Sequence, residues 1–180
     1  FWEPETVIVE AKASGMPLDQ FIKTRITDPL GMNDTHFYLP KSKVGKLATV
    51  YSAYADSPIE KSPVTGTMVS QGAYVDGPRT SFSGGAGLLS TADNYARFLQ
   101  MTMNGGELNG TRILSPKTIE LMTVSHTGDI EFRDGQGFGL GFSVVEDLGE
   151  RVIPLGRGSM FFRWCNLCWR KYSVCSYLIL

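Results

Sequence analysis

Residues Ser83 to Gly106 run SGGAGLLSTADNYARFLQMTMNGG: a glycine-rich loop, a helix and a glycine stop. Ser83-Gly84-Gly85-Ala86-Gly87 brings bare backbone close to a neighbour, because only glycine combines positive φ with side-chain-free contact. Ser90 or Thr91 is the N-cap, and Asp93 follows in the first turn, where the helix dipole favours an anion. Tyr95, Phe98, Leu99 and Thr102 recur at helical spacing and mark the expected buried face. Gly105-Gly106 ends the helix.

On the N-terminal side, Leu18, Phe21, Ile22 and Arg25 predict a helix with Pro17 at its start. Thr6–Ser14 is short and apolar and fits the end of a helix or a strand equally well. His36–Leu39 is a short extended piece before Pro40. Lys41–Pro78 has no sustained period and reads as a long irregular excursion with room for a short hairpin. Loops of that length are either lid-like and functional or variable surface.

On the C-terminal side, Asn109-Gly110 marks a turn, and Ser115-Pro116 is an N-cap followed by proline at the first position of a short helix through Met122. Phe138–Glu146, FGLGFSVVE, alternates large and small residues and predicts one strand. Asp147–Glu150 would then turn the chain into a returning strand, Arg151–Leu155.

The 180 residues suffice for one domain, and 42% hydrophobic with 19% charged residues is ordinary for a globular chain. A net charge of −1 offers no electrostatic attraction to nucleic acid or an acidic membrane. No apolar run reaches the roughly 18 residues of a membrane span. Phe1-Trp2-Glu3-Pro4 lacks the charged region of a secretory signal, and the missing Met suggests a cut or incomplete start.

Four segments, in order, resemble the serine β-lactamase-like superfamily of class C β-lactamases, D-Ala-D-Ala peptidases and related esterases. They are SGMPLDQFIKTRITDPLGMNDTHFYLP (Ser14–Pro40), SGGAGLLSTADNYARFLQMTMNGGELNGTRILSP (Ser83–Pro116), KTIELMTVSHTGD (Lys117–Asp129) and GFGLGFSVVED (Gly137–Asp147). The resemblance implies a mixed α/β (α+β) chain, part of a β-lactamase/transpeptidase-like fold in which a helical region packs on an antiparallel sheet. It implies a full-length parent that hydrolyses a small-molecule amide, lactam or ester through an acyl-enzyme, with no metal and no cofactor. Members of the family are often periplasmic or secreted.

The family's catalytic motifs are a different matter. Ser-x-x-Lys puts a nucleophilic hydroxyl one turn from an amine that takes its proton. Tyr-x-Asn or Tyr-x-Ser relays a second proton, and Lys-Thr-Gly, His-x-Gly or Trp-Gly-Gly on a sheet edge helps form the oxyanion site. Ser-x-x-Lys, Tyr-x-Asn/Ser and Lys-Thr-Gly do not occur here, so the chain as written is expected to be a fragment without turnover. The alternative is a non-catalytic binding module of the same fold. His126-Thr127-Gly128 matches His-x-Gly but precedes the strand pair, and its expected role is that of a solvent-facing loop histidine. Asp93 and Glu120 are expected to cap and to face solvent. Gly84, Gly85, Ser90 and Thr91 are the candidate pocket-lining residues implied by the resemblance.

Residues 1–160 carry the family pattern, and 161–180 depart from it. Cys165, Cys168, Cys175, Trp164 and Trp169 all lie in this tail. Arg163-Trp164-Cys165 codons read one base later can spell Gly-Gly-Ala, so a reading-frame slip near Met160 is the expected cause. Cys165-x-x-Cys168 has zinc-knuckle spacing but no second half-site, and no metal is expected. Tyr172–Leu180 is uncharged and rich in β-formers, an aggregation hazard where exposed.

Overall fold

The computed structural model describes residues 12–49, 51–52, 58–61, 75, 82, 88–130, 135–147 and 160–161. Helices alternate with short antiparallel strands. Two compact units divide inside one helix, between Tyr95 and Ala96.

In the first unit, α1 (Leu18–Ile22) starts directly after Pro17, whose carbonyl accepts from the Phe21 amide at 2.9 Å. The next turn, Lys23–Thr27, widens to π-helical bonding, and the Asp28 amide reaches back to the Lys23 carbonyl at 2.9 Å. Thr24 Oγ1 donates to the Gln20 carbonyl at 2.7 Å, a back-bond of the kind that loosens a helical ladder. The helical segment therefore runs past Arg25, where the apolar spacing stops. Leu18, Leu30, Met32 and Leu39 are the buried apolar set, joined by buried Thr27, Thr35 and Asn94. A 3₁₀ helix, Lys41–Lys46, follows Pro40. Then β1 (Tyr51–Ser52) pairs antiparallel with β2 (Glu60–Lys61). Among its described residues the long excursion thus contains a 3₁₀ helix and a short antiparallel strand pair. Its residues 50, 53–57, 62–74 and 76–78 lie outside the described residues.

The helix of the opening stretch is α2 (Ala92–Met103). It stops as its glycines require: the Gly106 amide donates to the Met101 carbonyl at 2.9 Å and the Gly105 amide to the Thr102 carbonyl at 3.1 Å. Gly105 sits at φ 68°, which completes a Schellman stop. The buried positions of α2 are Asn94, Leu99, Met101 and Thr102, whereas Tyr95 and Phe98 are half-buried. The stripe is therefore rotated from the one the apolar spacing marks, because a polar residue, Asn94, occupies a buried position.

In the second unit, β3 (Glu107–Leu108) and β4 (Thr111–Arg112) are joined by Asn109-Gly110, both at positive φ (51° and 80°). That is the two-residue turn that suits the strand twist. Glu107 and Arg112 face each other across the pair as an ion pair. α3 (Pro116–Met122) is capped by Ser115, whose Oγ accepts from the Thr118 amide at 3.0 Å, with proline at the first helical position.

Phe138–Glu146 is not one strand. β5 (Gln136–Phe138) and β6 (Ser143–Val145) are the two arms of a hairpin in register Phe138↔Ser143. The turn is Gly139-Leu140-Gly141-Phe142, closed by the Gly139 amide on the Phe142 carbonyl at 2.8 Å, with Gly141 at φ 90°. The other neighbour of β6 is β7 (Met160–Phe161), while Arg151–Leu155 lies outside the described residues. The alternation of glycine with large residues comes from this turn and from close packing. The Leu140 amide donates to the Met122 carbonyl at 3.0 Å, and the His126 amide to the Phe138 carbonyl at 2.9 Å. A Cβ on Gly139 would strike the carbonyls of Met122 and Val124. Within this unit the end of α3 thus packs on antiparallel strands. Leu99, Met101, Ile119, Phe142, Val144 and Val145 are its buried apolar residues.

Gly139→Ala should therefore force α3 away from the hairpin. A loss of about 1–3 kcal/mol is expected from such overpacking, read as a lower urea midpoint. An unchanged midpoint would show that the close approach is not formed.

Candidate functional site

Asn33–His36 and Leu88–Thr91 come together in the first unit. His36 and Leu89 exchange backbone hydrogen bonds, at 2.9 Å from the His36 amide and 2.8 Å from the Leu89 amide. Thr35 Oγ1 and Ser90 Oγ are 2.8 Å apart. Asn94 Oδ1 accepts from the Asp34 amide at 2.7 Å and from Thr35 Oγ1 at 3.4 Å. Thr91 Oγ1 accepts from the Asn94 amide at 3.2 Å and is the N-cap of α2. Phe82 meets Phe37 and Tyr38 edge to face, with ring centroids 5.2 and 5.7 Å apart. Of the candidate pocket residues, Ser90 and Thr91 are thus brought together with Thr35 and Asn94. Gly84 and Gly85 lie outside the described residues.

Sequence spacing missed Asn94, Thr35, Asp34 and Lys43. Lys43 Nζ lies 2.7 Å from Asp34 Oδ1 and 2.6 Å from the Asn33 carbonyl oxygen. Its hydrogen bond holds the Asp34 carboxyl below the ordinary carboxylate range. Burial, then the charge of Lys43, pulls His36 below the ordinary histidine value. The usable signal was Asn-Asp-Thr beside a helix carrying a polar residue, Asn94, on its packed side.

For three of the described serines the side-chain partner is a hydroxyl and not a base. Ser90 meets Thr35, Ser115 meets Thr118 and Ser125 meets Thr127, each a contact between hydroxyls. Both histidines of the chain are engaged elsewhere. His36 Nε2 faces Lys43 Nζ at 3.2 Å, and His126 Nε2 contacts the Leu121 carbonyl at 2.7 Å. Exposed His126 therefore closes the C-terminus of α3, where carbonyls lack helical partners. Glu120 is exposed and pairs with Lys117. Among the described residues no His, Cys, Asp and Glu cluster could hold a metal ion, and no helix is long and apolar enough to cross a membrane. The three tail cysteines lie outside the described residues.

These helices and antiparallel strands form part of the β-lactamase/transpeptidase fold. EstCE1, described as a hydrolase with promiscuous acyltransferase activity, is similar to the chain with a TM-score of 0.68 at 26% identity, over 87% of this chain and 45% of that one. Simvastatin synthase (LovD) from Aspergillus terreus matches the fold with a TM-score of 0.65 at 19% identity, over 88% of this chain and 41% of that one. The Beta-lactamase family model matches residues 7–161, and the chain belongs to that family. Protein Rv1367c of Mycobacterium tuberculosis H37Rv and Uncharacterized protein MT1414 of strain CDC 1551 are each 30% identical over 167 residues. The chain spans 40% of the length of either relative.

Two outcomes follow from the geometry. Asn94→Ala leaves the half-buried Asp34 amide without its acceptor, and a loss of about 1–3 kcal/mol is expected in urea unfolding. Burial pushes the Tyr95 phenol up to about 12. The unfolded chain ionises its tyrosines near about 10. Folding should therefore weaken as pH rises from that value to about 12, and not below it. In an ultraviolet titration one late-ionising tyrosine should be present and should vanish in Tyr95→Phe. Its persistence in that variant would assign the shift elsewhere.

Proposed function

We propose that this chain is part of a serine hydrolase that acts through an acyl-enzyme on a small-molecule amide, lactam or ester, and that the 180 residues as written perform no turnover. The observation that carries this reading is the family match over residues 7–161 in a chain without Ser-x-x-Lys or Tyr-x-Asn/Ser. An acyl-enzyme needs a hydroxyl activated by an adjacent base. The hydroxyl-to-hydroxyl bonds of Ser90, Ser115 and Ser125 support an inactive chain. The likeness to EstCE1, at 26% identity, favours ester or acyl-transfer chemistry within the class. In this reading Gly84, Gly85, Ser90 and Thr91 form a wall of the parent's pocket, and Thr35 and Asn94 hold that wall in place. In the same reading the sequence of 161–180 departs from the family pattern because its frame is displaced, although Phe161 itself still pairs in β7. The end of the family match at Phe161 supports this.

The missing motifs also favour a second reading, a non-catalytic module that binds a peptide, a glycan or a related hydrolase. One experiment separates the two. The gene is sequenced on both sides, and the longest open frame, with one base restored near Met160, is expressed beside the 180-residue chain. A chromogenic cephalosporin, a D-Ala-D-Ala peptide and a p-nitrophenyl ester serve as substrates. The longer protein should carry Ser-x-x-Lys and show turnover with an acyl-enzyme burst, and the 180-residue chain should show neither. A longer frame without the motif would overturn the hydrolase reading, and turnover by the short chain would overturn its inactivity as written.

A further inference from the structure

One ammonium group ties the 3₁₀ helix Lys41–Lys46 to the Asn33–His36 loop. Lys43 Nζ contacts the Asn33 carbonyl at 2.6 Å, Asp34 Oδ1 at 2.7 Å and His36 Nε2 at 3.2 Å. A lysine ammonium has three hydrogens and no lone pair, so it only donates. Its three contacts match its three hydrogens, provided that His36 Nε2 keeps its lone pair. His36 is then neutral, with its single ring proton on Nδ1. A proton taken up at Nε2 turns that acceptor into a donor and sets two cations face to face.

We propose that this cluster is a proton-controlled latch: neutral His36 seats Lys43, and protonated His36 expels it, freeing the 3₁₀ helix from the loop. Among the described residues four groups act on the ring. Asp34, on the same loop, and the Asn33 backbone favour the protonated ring, while Lys43 from the 3₁₀ helix and Lys23 from the π-helical turn oppose it. Lys46 stands 3.8 Å from Asp34 Oδ2 and Lys23 is paired with Asp28, so both are partly neutralised. Leu88–Thr91, across the backbone bridge, carries no ionisable side chain. Burial of His36 adds to the preference for the neutral ring.

The sign follows from linkage. Because the folded ring gives up its proton more readily than the unfolded one, the contribution is complete above the ordinary histidine value of about 6.5. It fades as pH falls from there through the lowered value in the folded chain. The latch is separate from the backbone bridge: the ring contact holds the 3₁₀ helix, whereas the His36 amide and carbonyl hold Leu89. Release at the ring should therefore leave the bridge closed. The inference does not depend on the hydrolase reading, since none of its residues is assigned a chemical step.

Amide hydrogen exchange of the full chain, corrected for intrinsic exchange, reads both places. The Leu47 amide, which donates to the Val44 carbonyl at 3.1 Å, reports on the end of the 3₁₀ helix. The Leu89 amide reports on the bridge. Between about pH 8 and about pH 5, protection of Leu47 should fall about threefold to fivefold, the range of a partly exposed charged contact, with Leu89 unchanged. In His36→Gln, whose amide oxygen accepts from Lys43 without titrating, Leu47 should stay protected at both pH values. In Lys43→Met it should be weakly protected at both. Leu47 protection that ignores pH in the unsubstituted chain, a fall that survives in His36→Gln, or a Leu89 loss in step with Leu47 would overturn the latch.

Discussion

The buried carboxamide of Asn94 is the constraint on which the first unit depends. Its oxygen accepts from the Asp34 amide and lies within reach of the Thr35 hydroxyl, while its own amide is capped by Thr91. A buried acceptor without donors costs about 1–3 kcal/mol, so the Asp34–Thr35 backbone must approach α2 wherever Asn94 is buried. Thr35 then meets Ser90, and His36 comes into register with Leu89. One amide side chain at the start of α2 thus sets the path of two loops more than fifty residues apart in sequence (the Asp34–Asn94 separation is 60).

The same loop explains why Lys43 matters. The segment held to Asn94 presents two oxygens and an imidazole nitrogen on its other side, and the 3₁₀ helix supplies the matching ammonium. The hydrogen bond to Lys43 favours ionised Asp34, and the charge of the same lysine disfavours ionised His36. Lys43 thus acts on both, as the main cause for Asp34, which loses its proton more easily, and as an addition to burial for His36, which gains one less easily. Surface ion pairs are usually weak, but one whose third partner changes from acceptor to donor is conditional on pH in a way that an isolated pair is not.

Much of the fold was legible because its punctuation is local. Gly105-Gly106 stop a helix, Asn109-Gly110 turn a hairpin and Ser115-Pro116 start a helix by steric and hydrogen-bonding rules that act within a few residues. The hairpin at Gly139–Phe142 was not legible, because its glycines also serve a long-range contact. Gly139 is bare so that the Met122 carbonyl can approach, and alternating glycines in FGLGFSVVE look the same as a strand's small face. The buried face of α2 was misplaced for a related reason. A polar residue such as Asn94 reads as solvent-facing until its donors on a distant loop are known. In the candidate site, Ser90 and Thr91 stood out as helix-start residues, but the Asn33–His36 loop that engages Ser90 and Asn94 carried no periodic signal.

The hydroxyls bear on chemistry as well as on folding. A serine becomes a nucleophile through a base that takes its proton. Ser90, Ser115 and Ser125 meet only threonine hydroxyls among side chains, so any proton shared there passes between groups of nearly equal acidity and no alkoxide is favoured. The two imidazoles are turned to an ammonium and to a helix-end carbonyl. These three serines and two histidines are thus engaged in capping and bridging. What these residues supply is a frame: a helix start pinned by Asn94 in one unit, and a strand pair closed on the end of α3 in the other. Within the Beta-lactamase family such a frame and the catalytic motifs answer to different constraints, the first to local geometry and the second to paired acid and base groups. The described turns and caps can therefore form without any paired acid and base beside them.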